Sequence, residues 1–217
     1  MKILYVTAEC WPFMKTGGLG DVSYALPKAL KKEGVDIRVI MPKYSTIPSY
    51  LKDKFKPVAE FSVKVGWRNQ YCGIETMELD GVTFYFIDNE FYFKRHDQAS
   101  IYGHGDDAER FAFFSRAVLE ILPVIDWKPD IIHCNDWQSA LTPLYYSCYY
   151  ANRMGFENIK TVFTIHNIQY QGKYGDELLN DVLGIAPEYN NLILYDGLVN
   201  FMKAGIECAN KVTTVSP

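Results

Sequence analysis

The chain has 217 residues with a formal net charge of −4, and 48% of them are hydrophobic and 22% charged. This composition is typical of a globular protein with a substantial core, and the acidic balance argues against nucleic-acid binding, which needs clustered Lys and Arg. No apolar run approaches the ~18 residues of a membrane span, and Glu9, Pro12 and Lys15 interrupt the first apolar stretch, unlike a signal peptide. We therefore expect a cytoplasmic protein without membrane or nucleic-acid partners.

The cysteines and histidines show no metal-binding pattern. The five cysteines include no C-x-x-C pair, and the four histidines form no H-x-x-x-H cluster. These counts predict free, largely buried thiols in a reducing compartment. We expect no protein-bound metal and no cofactor.

Strand and helix patterns alternate along the chain, which predicts an α/β fold with a Rossmann-like parallel sheet and helices on both faces. Asp106 and Asp107 are predicted to cap a helix start, where negative charge is favourable, and Pro27 is predicted to kink the first helix without ending it. In chain order, the predicted elements are strand 2–8, a helix ending at Gly34, strand 35–41, helix 106–122, strand 131–134, helix 139–153, strand 161–165, helix 201–208 and strand 211–215.

The stretch of about 55–88 has a different pattern. Apolar and polar residues alternate there in three runs, and turn-like pairs at Arg68-Asn69 and Asp80-Gly81 separate the runs. Strict alternation joined by short turns is typical of antiparallel strands. We therefore predict an antiparallel β insertion.

A glycine-rich run lies between the first strand and the first helix. In Lys15-Thr16-Gly17-Gly18-Leu19-Gly20-Asp21-Val22, backbone N–H groups and the positive end of the helix point to one place, which suits phosphate. The lysine precedes the glycines, so the run matches neither the dinucleotide fingerprint nor the triphosphate loop. The alternative is a tight turn whose glycines only relax backbone geometry.

Polar and aromatic residues follow three predicted strands of the sheet. They are Glu9, the run Asn135-Asp136-Trp137-Gln138, and the run from His166 to Gly172 that includes Asn167 and Gln169. Ligands of open α/β sheets bind at the carboxyl ends of the strands, and such side chains suit a sugar. Asp136 could instead cap the next helix, and His166 could be a core histidine with a backbone hydrogen bond.

Two aromatic features remain open to both structural and functional interpretation. Tyr145, Tyr146, Tyr149 and Tyr150 recur at helical spacing, which favours helix packing over a glucan platform. Trp11, beside the glycine run, either walls a cleft or packs against the helix.

Five segments together resemble bacterial glycogen synthase and plant starch synthase. The chain departs from the commonest forms at Gly20, where many members carry Ala, and at Asn135 and Gln138, where many carry His. The segments are Val6-Thr7-Ala8-Glu9 with Lys15–Val22, His133–Gln138, Thr164–Gly172, Asn200–Ile206 and Thr213–Pro217.

The resemblance implies the N-terminal, acceptor-side half of a two-domain glycosyltransferase B-type fold over residues 1–217, without the C-terminal nucleotide-binding domain. Such enzymes transfer glucose from ADP-glucose to the 4-hydroxyl of an α-1,4-glucan with retention. Lys15, Gly17, Gly18 and Asp21 would bind the donor. His166 would hold the transferred glucose and Asp136 would contact sugar hydroxyls or orient the acceptor. The implied catalytic residues are thus His166, Asp136 and Lys15, and further sugar contacts would come from Glu9, Trp137, Asn167 and Gln169.

The implied partners are ADP-glucose, the glucan and the protein's own C-terminal domain, without a metal. The location would be the bacterial cytoplasm, or the plastid stroma for a plant enzyme without its transit peptide. Half of a two-domain cleft cannot close over a donor, so we expect the 217-residue chain to fold alone without appreciable transfer. The alternatives are a non-catalytic α-glucan-binding module and a nucleotide-binding oxidoreductase domain, the latter disfavoured by the missing G-x-G-x-x-G.

Overall fold

The computed structural model describes residues 1–95 and 100–215. Its strands are formed by runs rich in β-branched and aromatic residues, as β-propensity favours. In chain order they are β1 (Lys2–Val6), β2 (Asp36–Pro42), β3 (Lys56–Val65), β4 (Arg68–Leu79), β5 (Val82–Asp88), β6 (Ile131–Asn135), β7 (Lys160–Ile165), β8 (Lys173–Tyr174), β9 (Leu194–Tyr195), β10 (Leu198–Asn200) and β11 (Lys211–Thr214).

The main sheet has the strand order β11-β7-β6-β1-β2-β5-β4-β3. The six strands from β11 to β5 are parallel, whereas β4 and β3 pair antiparallel. This mixed sheet confirms the predicted α/β class and the antiparallel strands of the insertion. Because β5 pairs in parallel with β2, the predicted insertion continues the main sheet and does not form a separate layer.

The helices are α1 (Gly18–Lys32), α2 (Ser49–Lys52), α3 (Glu90–Phe93), α4 (Asp107–Glu120), α5 (Leu141–Tyr145), α6 (Asn190–Ile193) and α7 (Phe201–Cys208). Residues 3–6 of β1 are all buried. Since successive strand residues point to opposite faces, both faces of the sheet are covered. The crossover through α1 leads from β1 to β2, whereas α5 leads from β6 to β7 in the other direction, and right-handed crossovers then place the two helices on opposite faces.

Several predicted boundaries differ from the structure. The β3–β4 turn lies at Gly66-Trp67 and not at Arg68-Asn69, because Gly66 adopts a φ of +57° that suits glycine and Arg68 already pairs with Val65. Strand β1 ends at Val6, two residues early. Helix α1 runs through Pro27 without a break, as predicted.

The predicted helix 139–153 consists of three short pieces. A 3₁₀ turn over Trp137–Ser139 leads into α5, and a π-helical turn over Tyr146–Tyr150 follows. Tyr145, Tyr146 and Tyr150 are buried in this region. Their burial favours a role in helix packing and argues against a role as a glucan platform.

Asp106 is the N-cap residue of α4 and Asp107 lies in its first turn, as predicted, but the Asp106 side chain forms no cap hydrogen bond. Asp106 pairs with Arg95, while Asp107 Oδ2 accepts a hydrogen bond from Gly103 N at 2.7 Å. Both carboxylates therefore bind groups of the segment that precedes α4.

The segment 173–200 carries structure that the sequence patterns did not predict. It holds a three-stranded sheet of order β8-β10-β9, a π-helical turn over Leu179–Leu183, a 3₁₀ turn over Pro187–Tyr189, and α6. Ser216 and Pro217, the end of the resembling segments, lie outside the described residues. Within residues 1–95 and 100–215, no helix is both long enough and apolar enough to cross a membrane.

Candidate functional site

The direction of strand addition reverses between β1 and β6. From β1 the chain proceeds to β2 on one side, and β6 pairs with β1 on the other. Ligands of open α/β sheets bind at this switch point, beyond the carboxyl ends of the strands. The structure therefore brings the glycine run after β1 together with Asn135-Asp136 after β6 and His166 after the neighbouring β7.

The glycine run is a surface loop whose charges pair with each other. Lys15 Nζ lies 2.6 and 2.7 Å from the two carboxylate oxygens of Asp21, and the two side chains are 42% and 59% exposed. Gly18 is the first residue of α1, so its N–H lies among the unpaired donors at the helix start. The loop can thus offer a cation and backbone donors to an anion once Asp21 releases Lys15.

Glu9 braces this loop from below. Glu9 is 4% exposed. Its carboxylate accepts hydrogen bonds from the N–H of Thr16 and, at 3.1 Å, from Thr16 Oγ1, and the backbone N–H of Gly17 is a further donor to it. Burial raises the pKa of Glu9, whereas these donors lower it. Its contacts favour a bracing role over the predicted sugar contact, and they engage the Gly17 N–H that we expected at a phosphate.

Asp136 precedes the 3₁₀ turn over Trp137–Ser139, but its side chain does not cap that turn. Its Oδ1 accepts hydrogen bonds from the backbone N–H groups of His166 at 2.7 Å and Asn167 at 3.2 Å. Burial raises the pKa of Asp136, and the His166 N–H opposes that shift. Its carboxylate therefore holds the first residues beyond β7 against the end of β6.

The backbone of Asp136 is strained. Its φ of 56° and ψ of 177° fall close to a region that is essentially restricted to glycine. Such outliers persist only where surrounding contacts enforce them, and they cluster at functional sites. The strain therefore indicates that this strand end has a function besides packing.

Asn135 and His166 are joined side chain to side chain. His166 Nε2 lies 3.0 Å from Asn135 Oδ1, and Asn135 Nδ2 lies 3.0 Å from Val6 O at the end of β1. Burial lowers the pKa of His166, with the charge of Asp136 acting in the opposite direction. His166 is half-buried and held by polar partners at the site, so it is not part of the apolar core.

The remaining predicted sugar contacts differ in exposure. Trp137 is buried, 5.1 Å from Phe111 and 6.1 Å from Phe201 between ring centroids, which favours packing. Asn167 and Gln169 are exposed, and the Gln169 N–H donates to Asn167 Oδ1 at 3.0 Å. These two side chains remain predicted sugar contacts.

Trp11 combines packing with exposure. It is 47% exposed, its side chain contacts Tyr24 edge-on at 4.8 Å between ring centroids, and its backbone N–H donates to Gly20 O at 3.0 Å. Both interpretations of this residue therefore retain support.

Sequence reasoning missed a polar chain behind the site. His133 Nε2 lies 2.7 Å from Thr164 Oγ1, which lies 2.7 Å from Thr213 Oγ1, so the chain links β6, β7 and β11. Burial, reinforced by His166, lowers the pKa of His133 to about 4. A histidine inside an apolar strand pattern was the available signal.

A second missed group is buried near Glu9. Arg110 donates to Ile101 O at 2.8 Å and lies close to Tyr44 and Asp107. Burial raises the pKa of Tyr44 and of Asp107. Patterns of apolar periodicity carry no information about such a buried arginine.

Neither a metal-binding cluster nor a disulfide bond is found in the described part of the chain. Residues 1–95 and 100–215 contain no group of three or more His, Cys, Asp or Glu side chains placed to hold a metal ion. All five cysteines are free, as predicted; Cys10, Cys72 and Cys134 are buried. This edge of the sheet combines a glycine loop that carries Lys15 with a rigid set of neutral and anionic hydrogen-bonding groups, which suits an anion joined to a polyhydroxyl group.

The chain is similar to bacterial glycogen synthases and to a solved starch synthase domain. Glycogen synthases of Clostridioides difficile (strain 630) and Clostridium novyi (strain NT) are 65% and 56% identical over 220 residues, covering 100% of this chain and 46% and 45% of the relatives. The solved catalytic domain of starch synthase IV from Arabidopsis thaliana, bound to ADP and acarbose, matches with a TM-score of 0.86 at 32% identity over 99% of this chain and 45% of that one.

The chain thus spans less than half the length of the curated relatives it matches. The fold is the N-terminal half of the glycosyltransferase B-type fold of starch synthase. A family model described as the starch synthase catalytic domain matches residues 2–217, and the chain belongs to that family.

Proposed function

We propose that the whole protein is a retaining glycosyltransferase that moves glucose from ADP-glucose to the non-reducing 4-hydroxyl of an α-1,4-glucan. The supporting observation is that a glycine loop carrying Lys15 and the interlocked Asn135, Asp136 and His166 lie at one switch point. Family membership and the ADP and acarbose bound by the related starch synthase add support.

The glycine loop acts on the leaving diphosphate. As the sugar–phosphate bond breaks, negative charge grows on the diphosphate, and Lys15 with the N–H of Gly18 stabilises it. A preorganised backbone donor such as the Gly18 N–H is typically worth roughly 3–4 kcal/mol in a transition state. Lys15 must first leave Asp21, so donor binding exchanges one ion pair for another. We propose that this positive charge serves in place of a metal ion.

His166 and Asp136 act on the sugar side. His166 contacts the transferred glucose, and Asp136 fixes the His166 backbone through its two accepted hydrogen bonds. Asp136 is thus a positioning residue in this proposal. Glu9 and Asp136 are both engaged with backbone donors, which favours an oxygen of the leaving phosphate as the acceptor of the glucan hydroxyl proton.

The test uses the full-length protein, taken from a cytoplasmic extract, with labelled ADP-glucose and glycogen. A parallel assay uses UDP-glucose as the donor. We expect labelled glucose to enter glycogen with retained configuration and without added metal. The 217-residue chain alone should fold without appreciable transfer. Glycogen pulldown without any transfer by the full-length protein would contradict the proposal and favour the glucan-binding module.

A further inference from the structure

The Asn135 side chain is locked in one orientation. It is 1% exposed, and Nδ2 lies 3.0 Å from Val6 O and 3.2 Å from His133 O. Backbone carbonyl oxygens only accept hydrogen bonds, so the amide nitrogen must face them. The amide oxygen is therefore the atom that faces His166.

This orientation decides which nitrogen of His166 carries the proton. Asn135 Oδ1 lies 3.0 Å from His166 Nε2, and an amide oxygen cannot donate. Nε2 must therefore carry a hydrogen, and in the neutral ring Nδ1 then holds a lone pair. Burial favours the neutral ring.

The charged neighbours do not reverse this state. Asp136 acts to raise the pKa of His166, but its Oδ1 already accepts two backbone N–H groups and burial is the larger influence. Burial also lowers the pKa of His133, so His133 is neutral and adds no positive charge near His166.

We propose that Asn135 is a positioning residue that holds His166 as its Nε2–H tautomer, so that Nδ1 accepts a hydrogen bond from a hydroxyl group of the bound sugar. Phosphate oxygens only accept, so the His166 ring recognises the sugar and leaves the diphosphate to the glycine loop. This inference rests on the proposed function for its ligand.

The test is the ¹⁵N NMR spectrum of histidine-labelled protein, which distinguishes protonated from unprotonated ring nitrogens. In the unaltered protein we expect a protonated Nε2 and an unprotonated Nδ1 at His166. In Asn135→Leu, which removes the acceptor at similar volume, we expect a mixture of tautomers. Gln138→Leu is the matched control, since it removes another buried amide of the same turn and should leave the His166 tautomer unchanged.

Kinetics of the full-length protein test the ligand. Asn135→Leu should lower kcat for ADP-glucose about threefold to tenfold, the effect of one neutral hydrogen bond, while Lys15-dependent ADP binding stays unchanged. An Nδ1–H tautomer in the unaltered protein would overturn the proposal even if the variant fails to fold. An unchanged tautomer and kcat in folded Asn135→Leu would also overturn it. If the unaltered protein shows the Nε2–H tautomer but transfers no glucose, the proposed function and the sugar ligand fall, and the positioning by Asn135 stands.

Discussion

The glycine loop and the ends of β6 and β7 form the two sides of one site with opposite designs. In the loop, Lys15 and Asp21 are exposed and paired only with each other, whereas Asn135 and Asp136 are 1% and 8% exposed and bonded to neighbouring strands. Exposed ion pairs contribute little to stability and break readily, whereas buried hydrogen bonds are costly to leave unmade. One side supplies adjustable charge, and the other supplies fixed geometry.

The largest expected effect comes from the rigid side. Asp136→Ala leaves the N–H groups of His166 and Asn167 without their acceptor, so the end of β7 that carries His166 should shift. We expect kcat/KM of the full-length protein to fall about a hundredfold and the free energy of unfolding to fall by about 1–3 kcal/mol. Asp136→Asn is the control, because its amide oxygen can keep both bonds. An Ala variant as active as the Asn variant would show that these bonds do not position the site.

The loop should respond in activity alone. Lys15→Ala in the full-length protein should lower kcat/KM for ADP-glucose about tenfold to a hundredfold, as expected for a charged hydrogen bond, and Lys15→Arg should lower it less. The melting temperature should not change, because the Lys15–Asp21 pair is exposed. Initial rates and thermal melts check both points. Normal kcat/KM in the Ala variant would exclude the phosphate role.

A third prediction concerns pH and the polar chain behind the site. The pKa of His133 is lowered from 6.5 to about 4. Between these pH values His133 therefore binds a proton in the unfolded chain but not in the folded chain. The stability that His133 contributes is complete above about pH 6.5 and is lost as the pH falls toward 4, up to about 3 kcal/mol. Urea titrations should show a flatter pH dependence in His133→Gln. Glu9 and Asp136, with raised pKa values, act in the opposite sense in both proteins and cancel in the difference.

The smallest expected effect separates two glycines of the loop. A Cβ at Gly18 meets no atom within 4 Å, whereas a Cβ at Gly20 would lie 2.9 Å from Lys15 Cγ. Gly18→Ala should therefore raise the free energy of unfolding by about 0.5 kcal/mol through helix propensity, and Gly20→Ala should give no gain. Denaturant titrations check the pair, and equal gains would show that Lys15 adjusts without cost.

The sequence predicted which residues meet at the site better than it predicted what they contact. Asp136 and His166 were identifiable because they follow buried strands, and the carboxyl ends of parallel strands share one edge. The direction of the Asp136 carboxylate depends on a φ of 56°, which residue type alone does not encode. The contact between Glu9 and the loop was likewise not predictable from residue type, because the carboxylate accepts from a backbone N–H group.

Fold prediction failed where elements are short. The strands of the 173–200 segment have two or three residues, too few for any periodicity. The turn at Gly66 was misplaced by two residues because Arg68-Asn69 has turn-like composition, although only Gly66 adopts the positive φ.

The most direct test of the central claim, that the rigid strand ends hold the reacting sugar, is His166→Ala in the full-length protein. Thermal melting, ADP binding and initial rate are measured on one preparation. We predict a folded variant that keeps its ADP affinity and loses kcat, because a contact that strengthens in the transition state affects the chemical step. A lower melting temperature with unchanged specific activity of the folded fraction would contradict it and leave His166 a structural residue.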